Sequence, residues 1–178
     1  MTVIALESLE LLSDGLARRD ASAFSEVVRR YDSSLVRMCT VMAGDPEAAK
    51  DAVQETWSRV WRNPPVLRDA SALPAWLRTV AINEVRQRQR RRAILDRLLR
   101  RTSWNRASQG AGDPQAGVAV RDLLRRLQPP DRELLALRYV AGLTSVEIST
   151  LRGVTPEAIR SRLHRLRRQL AEEFSDVD

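Results

Sequence analysis

Apolar residues recur at three- and four-residue steps along most of the chain, a spacing typical of amphipathic α-helices. The clearest stripe runs from Ala21 to about Ala43, and a weaker one covers about residues 3–18. No alternating run of apolar and polar residues indicates a strand, and good helix formers dominate the segments between breakers. The pattern therefore predicts an all-α protein.

Caps and breakers mark the next helix boundaries. Gly44 ends the second helix, and Asp45 followed by Pro46 is a helix start, because aspartate accepts from free amides and proline fits the first helical position. This third helix is predicted to end near Arg62, before the breaker sequence NPP. Ser71 is predicted to cap a fourth helix, which begins ALPAWLRTV and continues into a run of arginines.

Residues 102–117, TSWNRASQGAGDPQAG, concentrate Gly, Ser, Asn and Pro without an apolar period and predict a flexible linker. This divides the chain into a first domain of residues 1–101 and a second domain of residues 118–178. The second domain is predicted to contain a helix up to Gln128, a helix that closes at Gly142, and two further helices.

The last two helices have the spacing of a helix-turn-helix. Thr144 and Glu147 form the capping-box pattern T-x-x-E, in which each side chain satisfies a free backbone amide. Gly153 supplies a tight turn, and Thr155 with Pro156 opens the final helix. This arrangement indicates a DNA-binding unit.

The final helix has two contrasting faces. Its apolar residues fall within one sector and are predicted to face the core: Ile159, Leu163, Leu166 and Leu170. The opposite face is rich in arginine, and no acid lies between Arg160 and Arg168, although a merely solvated face would carry acids for i,i+4 ion pairs. This favours insertion into the DNA major groove.

Groove chemistry assigns roles on this helix. Arg160 and Arg165 are candidates for guanine edges or nearby phosphates, since a guanidinium binds both. Ser161 and His164 suit short contacts with bases, although a half-exposed histidine without a special task explains His164 nearly as well. The remaining arginines are assigned to the phosphate backbone: Arg162, Arg167 and Arg168.

Charge adds one further feature. The formal net charge is +7, and Lys50 is the only lysine among 30 basic residues, so the positive charge is almost wholly guanidinium. Residues 86–106 contain nine arginines against Asp96 alone. Such a segment suits a phosphate backbone, whereas a solvated arginine run is the simpler alternative.

Several classes of protein are excluded. With Cys39 and His164 as the single cysteine and histidine, neither a disulfide framework nor a zinc site is expected. The chain offers no Ser-His-Asp set and no phosphate loop, so we expect no catalytic residue, no metal and no cofactor. The opening MTVIALESLELL does not resemble a signal peptide, and no apolar run approaches the ~18 residues of a membrane span. We therefore expect a cytoplasmic protein without membrane insertion.

Two ordered motifs carry a resemblance to a known family. The segment DAVQETWSRVW, followed by PAWLRTVAINEVRQRQRRR and by LQPPDRELLALRYVAGLTSVEISTLRGVTPEAIRSRLHRLRRQL, resembles the extracytoplasmic-function (ECF) sigma factors of the sigma-70 family. The resemblance covers about residues 21–92 and 118–170. It implies a sigma region 2 helical bundle and a sigma region 4 helix-turn-helix, joined by the linker.

The resemblance also implies site residues. The D-x-x-Q-E-x-[FW] segment of the family docks on the largest polymerase subunit, which implies polymerase contacts for Asp51, Gln54 and Glu55. The W-L-x-x-x-A-x-N segment holds the melted minus-ten strand, which implies DNA contacts for Arg68, Asp69, Ala70, Arg78, Asn83 and Arg86. The final helix reads the minus-thirty-five duplex, which implies contacts for Thr155, Glu157, Arg160, Ser161, Arg162, His164, Arg165 and Arg168.

The implied partners are core RNA polymerase, through its beta and beta-prime subunits, promoter DNA, and an inhibitory anti-sigma factor. The implied function is promoter-specific transcription initiation, with catalysis left to the polymerase. One alternative is a stand-alone helix-turn-helix regulator that binds an operator as a dimer, which leaves DAVQETW without a role. Another is an adaptor that bridges polymerase and a second protein without contacting DNA.

Overall fold

The computed structural model describes residues 2–101 and 122–175, with side chains described for residues 8–95 and 122–172. Every regular element in these ranges is helical, which confirms the all-α prediction. The helices are α1 (Thr2–Ala17), α2 (Ala21–Ala43), α3 (Pro46–Arg62), α4 (Leu73–Arg101), α5 (described over residues 122–126), α6 (Pro129–Leu135), α7 (Ser145–Arg152) and α8 (Pro156–Ser175). The predicted linker and its Trp104 lie outside the described residues.

The first domain is a bundle of α1 to α4 in which α2 contacts the other three helices. The apolar stripes of these helices meet in a close-packed core. Its fully buried members include Val27, Met38, Val60, Leu73 and Leu77. Trp57 is 9% exposed, and its indole nitrogen donates to the carboxylate of Asp32 at 2.8 Å, so this tryptophan is a core residue as its apolar position indicates.

The boundary between α2 and α3 follows the sequence signals. Gly44 adopts the left-handed conformation with φ of 70°, which glycine reaches without the steric cost of a side chain. The carboxylate of Asp45 accepts from the amide of Glu47, and Pro46 occupies the first helical position. The two helices therefore reverse direction within very few residues and pack side by side.

The start of α4 differs from the prediction, because Ser71 does not cap it. The carboxylate of Asp69 accepts from the amide of Ser71 at 2.8 Å and from its hydroxyl at 2.7 Å. This starts a 3-10 turn over Ala70–Ala72, which runs directly into α4 at Leu73. The physical reason is that a carboxylate is a stronger acceptor than a hydroxyl for free helix amides, so the chain turns two residues earlier.

The second domain contains the predicted helix-turn-helix. Thr144 and Glu147 form both hydrogen bonds of the capping box, Gly153 turns the chain with φ of 65°, and the Thr155 hydroxyl accepts from the amide of Ala158. The apolar stripe of α8 faces inward as predicted, with Ile159, Leu163 and Leu166 buried and Leu170 packed against the core. This confirms the two contrasting faces of α8.

The helix that begins at Pro129 is not a uniform α-helix. From Ala136 to Val140 it continues as a π-helical turn, in which the amide of Ala141 bonds to the carbonyl of Ala136 at 2.9 Å. The wider turn ends at Gly142, and the next residue, Leu143, is 5% exposed. Apolar periodicity did not reveal this turn, since inserting one residue into a helix changes the spacing only locally.

An ion pair with a buried carboxylate and a partly exposed arginine fixes α8 against α6. Nε and Nη2 of Arg162 donate to the two carboxylate oxygens of Asp131 at 2.7 Å and 2.5 Å, and the Asp131 side chain is only 8% exposed. This hydrogen-bonded carboxylate raises the pKa of the Arg162 guanidinium. The pair therefore sets the orientation of the helix that carries the outward-facing arginines.

The two domains pack against each other. Besides its neighbours in the first domain, α2 contacts α6 and the π-helical turn. Leu134 and Leu137 belong to the same apolar cluster as Met38 and Met42. The sequence predicted two domains and a linker but not this docking, because the apolar surface that α2 offers to α6 has the same periodicity as the surface it offers to α3.

We expect Cys39 to be unreactive in the folded protein. Its side chain is fully buried in α2, and burial raises the pKa of the thiol to about 12, so the reactive thiolate is absent near neutral pH. A chromogenic disulfide reagent at about pH 8 should react at the rate of a free thiol only after the chain is unfolded in guanidinium. Equally rapid labelling of the folded protein would contradict this.

Asp131→Asn should lower the free energy of unfolding by roughly 1–2 kcal/mol, because it breaks a charge-assisted pair whose carboxylate is buried but whose arginine is partly exposed. Urea unfolding followed by circular dichroism measures this. The control is Glu26→Gln, which breaks an exposed i,i+3 pair with Arg29 and should change little. Equal effects of the two substitutions would show that Asp131 does not brace α8.

Candidate nucleic-acid interface

The residues predicted to contact polymerase lie together on α3. Asp51 and Gln54 are exposed, and Glu55 is half-buried. The Asp51 carboxylate accepts from Nη1 of Arg88 at 3.3 Å, and that of Glu55 accepts from Nη2 of Arg62 at 2.6 Å. Because residues three or four apart are neighbours on a helix surface, the three side chains form one polar patch that a partner can reach.

An apolar groove of about 540 Å³ lies beside this patch, between α2 and α3. Its lining includes Gln54 of the patch together with Trp57 and Trp61. The ring of Phe24 packs edge-on against both tryptophans, with centroid distances of 6.1 Å and 5.1 Å. Trp61 is 40% exposed, so the groove offers an aromatic surface. The groove was not predicted from the sequence, although Trp57 and Trp61, four residues apart, were a signal for it.

The residues predicted to contact the minus-ten strand occupy two places. Arg68 is exposed in the loop before the 3-10 turn, whereas the Asp69 carboxylate is engaged as the cap of that turn and Ala70 is half-buried within it. The hydroxyl and amide of Ser71 hold the pKa of Asp69 below its usual value. Hydrogen bonds to Asp69 therefore fix the end of this loop at the start of the 3-10 turn.

The other predicted minus-ten residues lie on α4. Asn83 is exposed, and Arg86 lies one turn later, so both project from neighbouring positions. The amide and hydroxyl of Thr144 lower the pKa of Glu147, and the charge of the nearby, half-buried Arg78 lowers it further. Arg78 therefore lies beside the second domain, while Asn83 is open to solvent.

Arg86 has a partner in the second domain that was not predicted from the sequence. Its Nε and Nη2 donate to the carboxylate of Glu133 in α6 at 2.8 Å and 2.7 Å, which raises the pKa of the arginine. Nε of Arg152 lies 3.7 Å from the same carboxylate. No sequence signal joins Arg86 to Glu133, because the two residues are 47 positions apart and belong to different domains.

The predicted minus-thirty-five residues at α8 and at the residue before it are all exposed, and one of them, Arg162, is paired with Asp131. The others are Thr155, Glu157, Arg160, Ser161, His164, Arg165 and Arg168. Two of the arginines have partners on their own helix, Arg160 with Glu157 and Arg168 with Glu172. These pairs are solvent-exposed and cost little to exchange for a phosphate. Among the described residues, Arg165 forms no ion pair.

Membrane-spanning helices and metal-binding clusters were sought in the part of the chain that the structure describes. No helix there is long and apolar enough to cross a membrane. Within the same residues, no group of three or more His, Cys, Asp or Glu side chains could hold a metal ion.

Curated proteins of similar sequence include sigma factors from two bacteria. The ECF RNA polymerase sigma factor SigL of Mycobacterium tuberculosis is 28% identical over 156 residues, which cover 84% of this chain and 88% of that protein. The RNA polymerase sigma factor CarQ of Myxococcus xanthus is 28% identical over 159 residues, which cover 88% of this chain and 91% of that protein. The likeness therefore extends through both domains.

A solved structure has the same fold. The sigma factor RpoE of Bartonella quintana, in complex with the anti-sigma factor NepR, superposes with a TM-score of 0.70 at 22% identity, covering 85% of this chain and 96% of that one. Residues 27–102 match sigma-70 region 2, and residues 117–170 match sigma-70 region 4, together more than half of the chain. These matches confirm the resemblance carried by the two motifs, and the chain belongs to the ECF sigma factors of the sigma-70 family.

Proposed function

We propose that this sigma factor binds core RNA polymerase through the polar patch of α3 and directs the enzyme to promoters with both domains. In this proposal α4 holds the melted minus-ten strand and α8 reads the minus-thirty-five duplex. It performs no catalysis, needs no cofactor, and acts in the cytoplasm together with polymerase and promoter DNA. The single observation that carries the proposal is the arginine-rich outer face of α8. This helix is the second helix of a helix-turn-helix in which the capping box of α7, the left-handed turn at Gly153 and the Thr155 cap are all present.

The geometry of α8 supports duplex binding. Its buried stripe leaves Arg160, Ser161 and Arg165 on the solvent side, near the helix N-terminus that a helix-turn-helix presents to base edges. A guanidinium can bind guanine O6 and N7 together, so Arg160 and Arg165 can specify bases. Arg168 lies further along the helix and suits a phosphate, which fixes position rather than sequence.

The electrostatics of α4 support single-strand binding. Asn83 is an exposed amide that can contact a base edge, and the arginines that follow it form a positive track on the same helix. The exposed members of that track include Arg90, Arg91 and Arg92. An unpaired strand needs such a track for its phosphates and a few polar groups for its bases.

The polymerase contact rests on α3 and the groove beside it. Asp51 and Gln54 supply polar groups, and Trp61 supplies exposed aromatic surface at the edge of the same face. Aromatic anchors surrounded by polar groups are the usual composition of a protein interface. An inhibitory anti-sigma factor is the second protein partner that we propose, because the structurally similar RpoE of Bartonella quintana is in complex with the anti-sigma factor NepR.

Run-off transcription with core polymerase on a promoter library tests the function and the role of α8 together. The wild-type chain should select start sites, and Arg160→Ala combined with Arg165→Ala should reduce specific transcripts by at least about tenfold, because base contacts are lost. The control is Arg29→Ala combined with Arg37→Ala, which removes the same charge from exposed positions of α2. Unchanged transcripts from the α8 variant would favour an adaptor without DNA contact, and tight operator binding without polymerase would favour a stand-alone regulator.

The α3 patch is tested by affinity for core polymerase. Asp51→Ala combined with Gln54→Ala should weaken binding by about tenfold or more, because both side chains are exposed and their loss removes polar contacts at the interface. Fluorescence anisotropy of labelled protein measures this. Glu47→Ala is the control, since it removes an exposed carboxylate near the start of the same helix. Equal affinity of the double variant and the wild type would place the polymerase contact elsewhere.

A further inference from the structure

A groove between α4 and α6 concentrates positive charge around one buried carboxylate. It has a volume of about 350 Å³, and its charged lining residues are Arg86 and Arg90 of α4, Glu133 of α6 and Arg152 of α7. The Glu133 side chain is 8% exposed. Three guanidinium groups against one carboxylate leave an excess of positive charge in the groove, which therefore attracts anions.

Glu133 holds two of these arginines close together. Its carboxylate accepts from Nε and Nη2 of Arg86 at 2.8 Å and 2.7 Å, and Nε of Arg152 lies 3.7 Å from it. Nη1 of Arg152 also donates to the carbonyl of Pro130 at 3.2 Å. Both guanidinium groups are therefore ordered before an anion arrives, which lowers the entropic cost of binding it.

Several N–H groups of these arginines remain available to a ligand. Within the described residues, Nη1 of Arg86 and Nη2 of Arg152 have no hydrogen-bond partner, and the guanidinium of Arg90 forms neither an ion pair nor a hydrogen bond. Arg90 is exposed and lies one turn after Arg86, so both can reach the same anion. Donors from three guanidinium groups suit a ligand with several anionic oxygens, and a phosphate offers more of these than a carboxylate.

The rest of the lining is uncharged. Pro129, Pro130 and Ala93 supply apolar surface, and the amide nitrogen of Gln89 is engaged by the carbonyl of Met42 at 3.0 Å. A few polar groups beside apolar surface are the usual composition of a ligand pocket. The volume of the groove lies at the lower end of the range of about 300–1,000 Å³ for such pockets, so its ligand is small.

We propose that this groove binds a small ligand that carries a diphosphate, either free pyrophosphate or the diphosphate group of a nucleotide. Arg86, Arg90 and Arg152 bind its oxygens, and Glu133 positions the first and last of these arginines. Two linked phosphoryl groups match donors that come from two helices, one group for α4 and one for α7. The ligand therefore contacts both domains, and its binding stabilises the packed native structure.

Isothermal titration calorimetry of the full chain with inorganic pyrophosphate tests the site without polymerase or DNA. The wild-type chain should bind one pyrophosphate, and Arg152→Gln or Arg90→Gln should weaken binding by about fivefold to tenfold, because each removes a charge-assisted contact. The matched controls are Arg126→Gln and Arg91→Gln, which remove the same charge from exposed positions outside the groove. These should change the affinity by less than about twofold, because solvent screens distant charges.

Thermal unfolding gives a second measurement. Pyrophosphate at about tenfold its Kd should raise the midpoint of the wild-type chain by about 3–5 °C, and the same concentration should have a smaller effect on Arg152→Gln. Arg90→Gln retains the fold, because that side chain is exposed and has no partner within the described residues. Circular dichroism of each variant without ligand verifies that its helices are retained.

Two further ligands identify the source of the diphosphate. Tighter binding of a nucleoside diphosphate than of pyrophosphate assigns the site to a nucleotide, and equal or weaker binding assigns it to the free anion. Inorganic phosphate should bind at least about tenfold more weakly than pyrophosphate, because it reaches the donors of one helix only. Equal affinity for phosphate and pyrophosphate would contradict the diphosphate assignment.

Two results would overturn the site itself. Equal losses of affinity in the groove variants and in the controls would show that pyrophosphate responds to the net charge of the chain. Binding of a single-stranded oligonucleotide but not of pyrophosphate would assign these arginines to the DNA strand alone. Failure of the proposed function shows elsewhere, as absent run-off transcription by the wild-type chain, so the two failures are distinguishable.

Discussion

The burial of α2 is the constraint on which the rest of the structure depends. This helix contacts α1, α3 and α4 on the side of the first domain and α6 with its π-helical turn on the side of the second. Its buried residues Leu35, Met38, Cys39 and Met42 therefore serve one apolar cluster that spans both domains. The outward faces of α3, α4 and α8, which carry the proposed contacts, are oriented by the helices that pack around α2 because close packing allows few alternative rotations.

Much of this arrangement could be predicted from the sequence because its signals are local. Asp45, Gly44, Thr144 and Gly153 each satisfy a requirement of the backbone within a few residues, and the apolar stripe of α8 repeats at the helical period. The same periodicity identified which side of α8 faces solvent. Where two local acceptors competed, at Asp69 and Ser71, the predicted cap was the weaker one, whereas the carboxylate of Asp69 caps the 3-10 turn that leads into α4.

The remaining features could not be predicted because they join residues that are distant in sequence. Arg86 with Glu133, and Arg132 with the Met42 carbonyl, are contacts between domains that no periodic pattern marks. Arg162 illustrates the same limit within a domain, since its position on a flank of α8 suggested a phosphate contact, whereas its partner Asp131 lies 31 residues away. Apolar periodicity identifies which residues are buried but does not identify the partner of each charged one.

An arginine-rich protein that binds phosphates must keep its guanidinium groups from binding too tightly to its own carboxylates. The pairs of Arg160 and Arg168 lie on the exposed surface of α8, where solvent screening makes them weak and exchangeable. The pair of Arg162 has a buried carboxylate within one domain, so it persists as a brace. The pair of Arg86 has an equally buried carboxylate but crosses between domains, so its strength depends on whether the domains are docked. Burial and domain membership together therefore determine which of these arginine pairs can readily be exchanged for a phosphate contact.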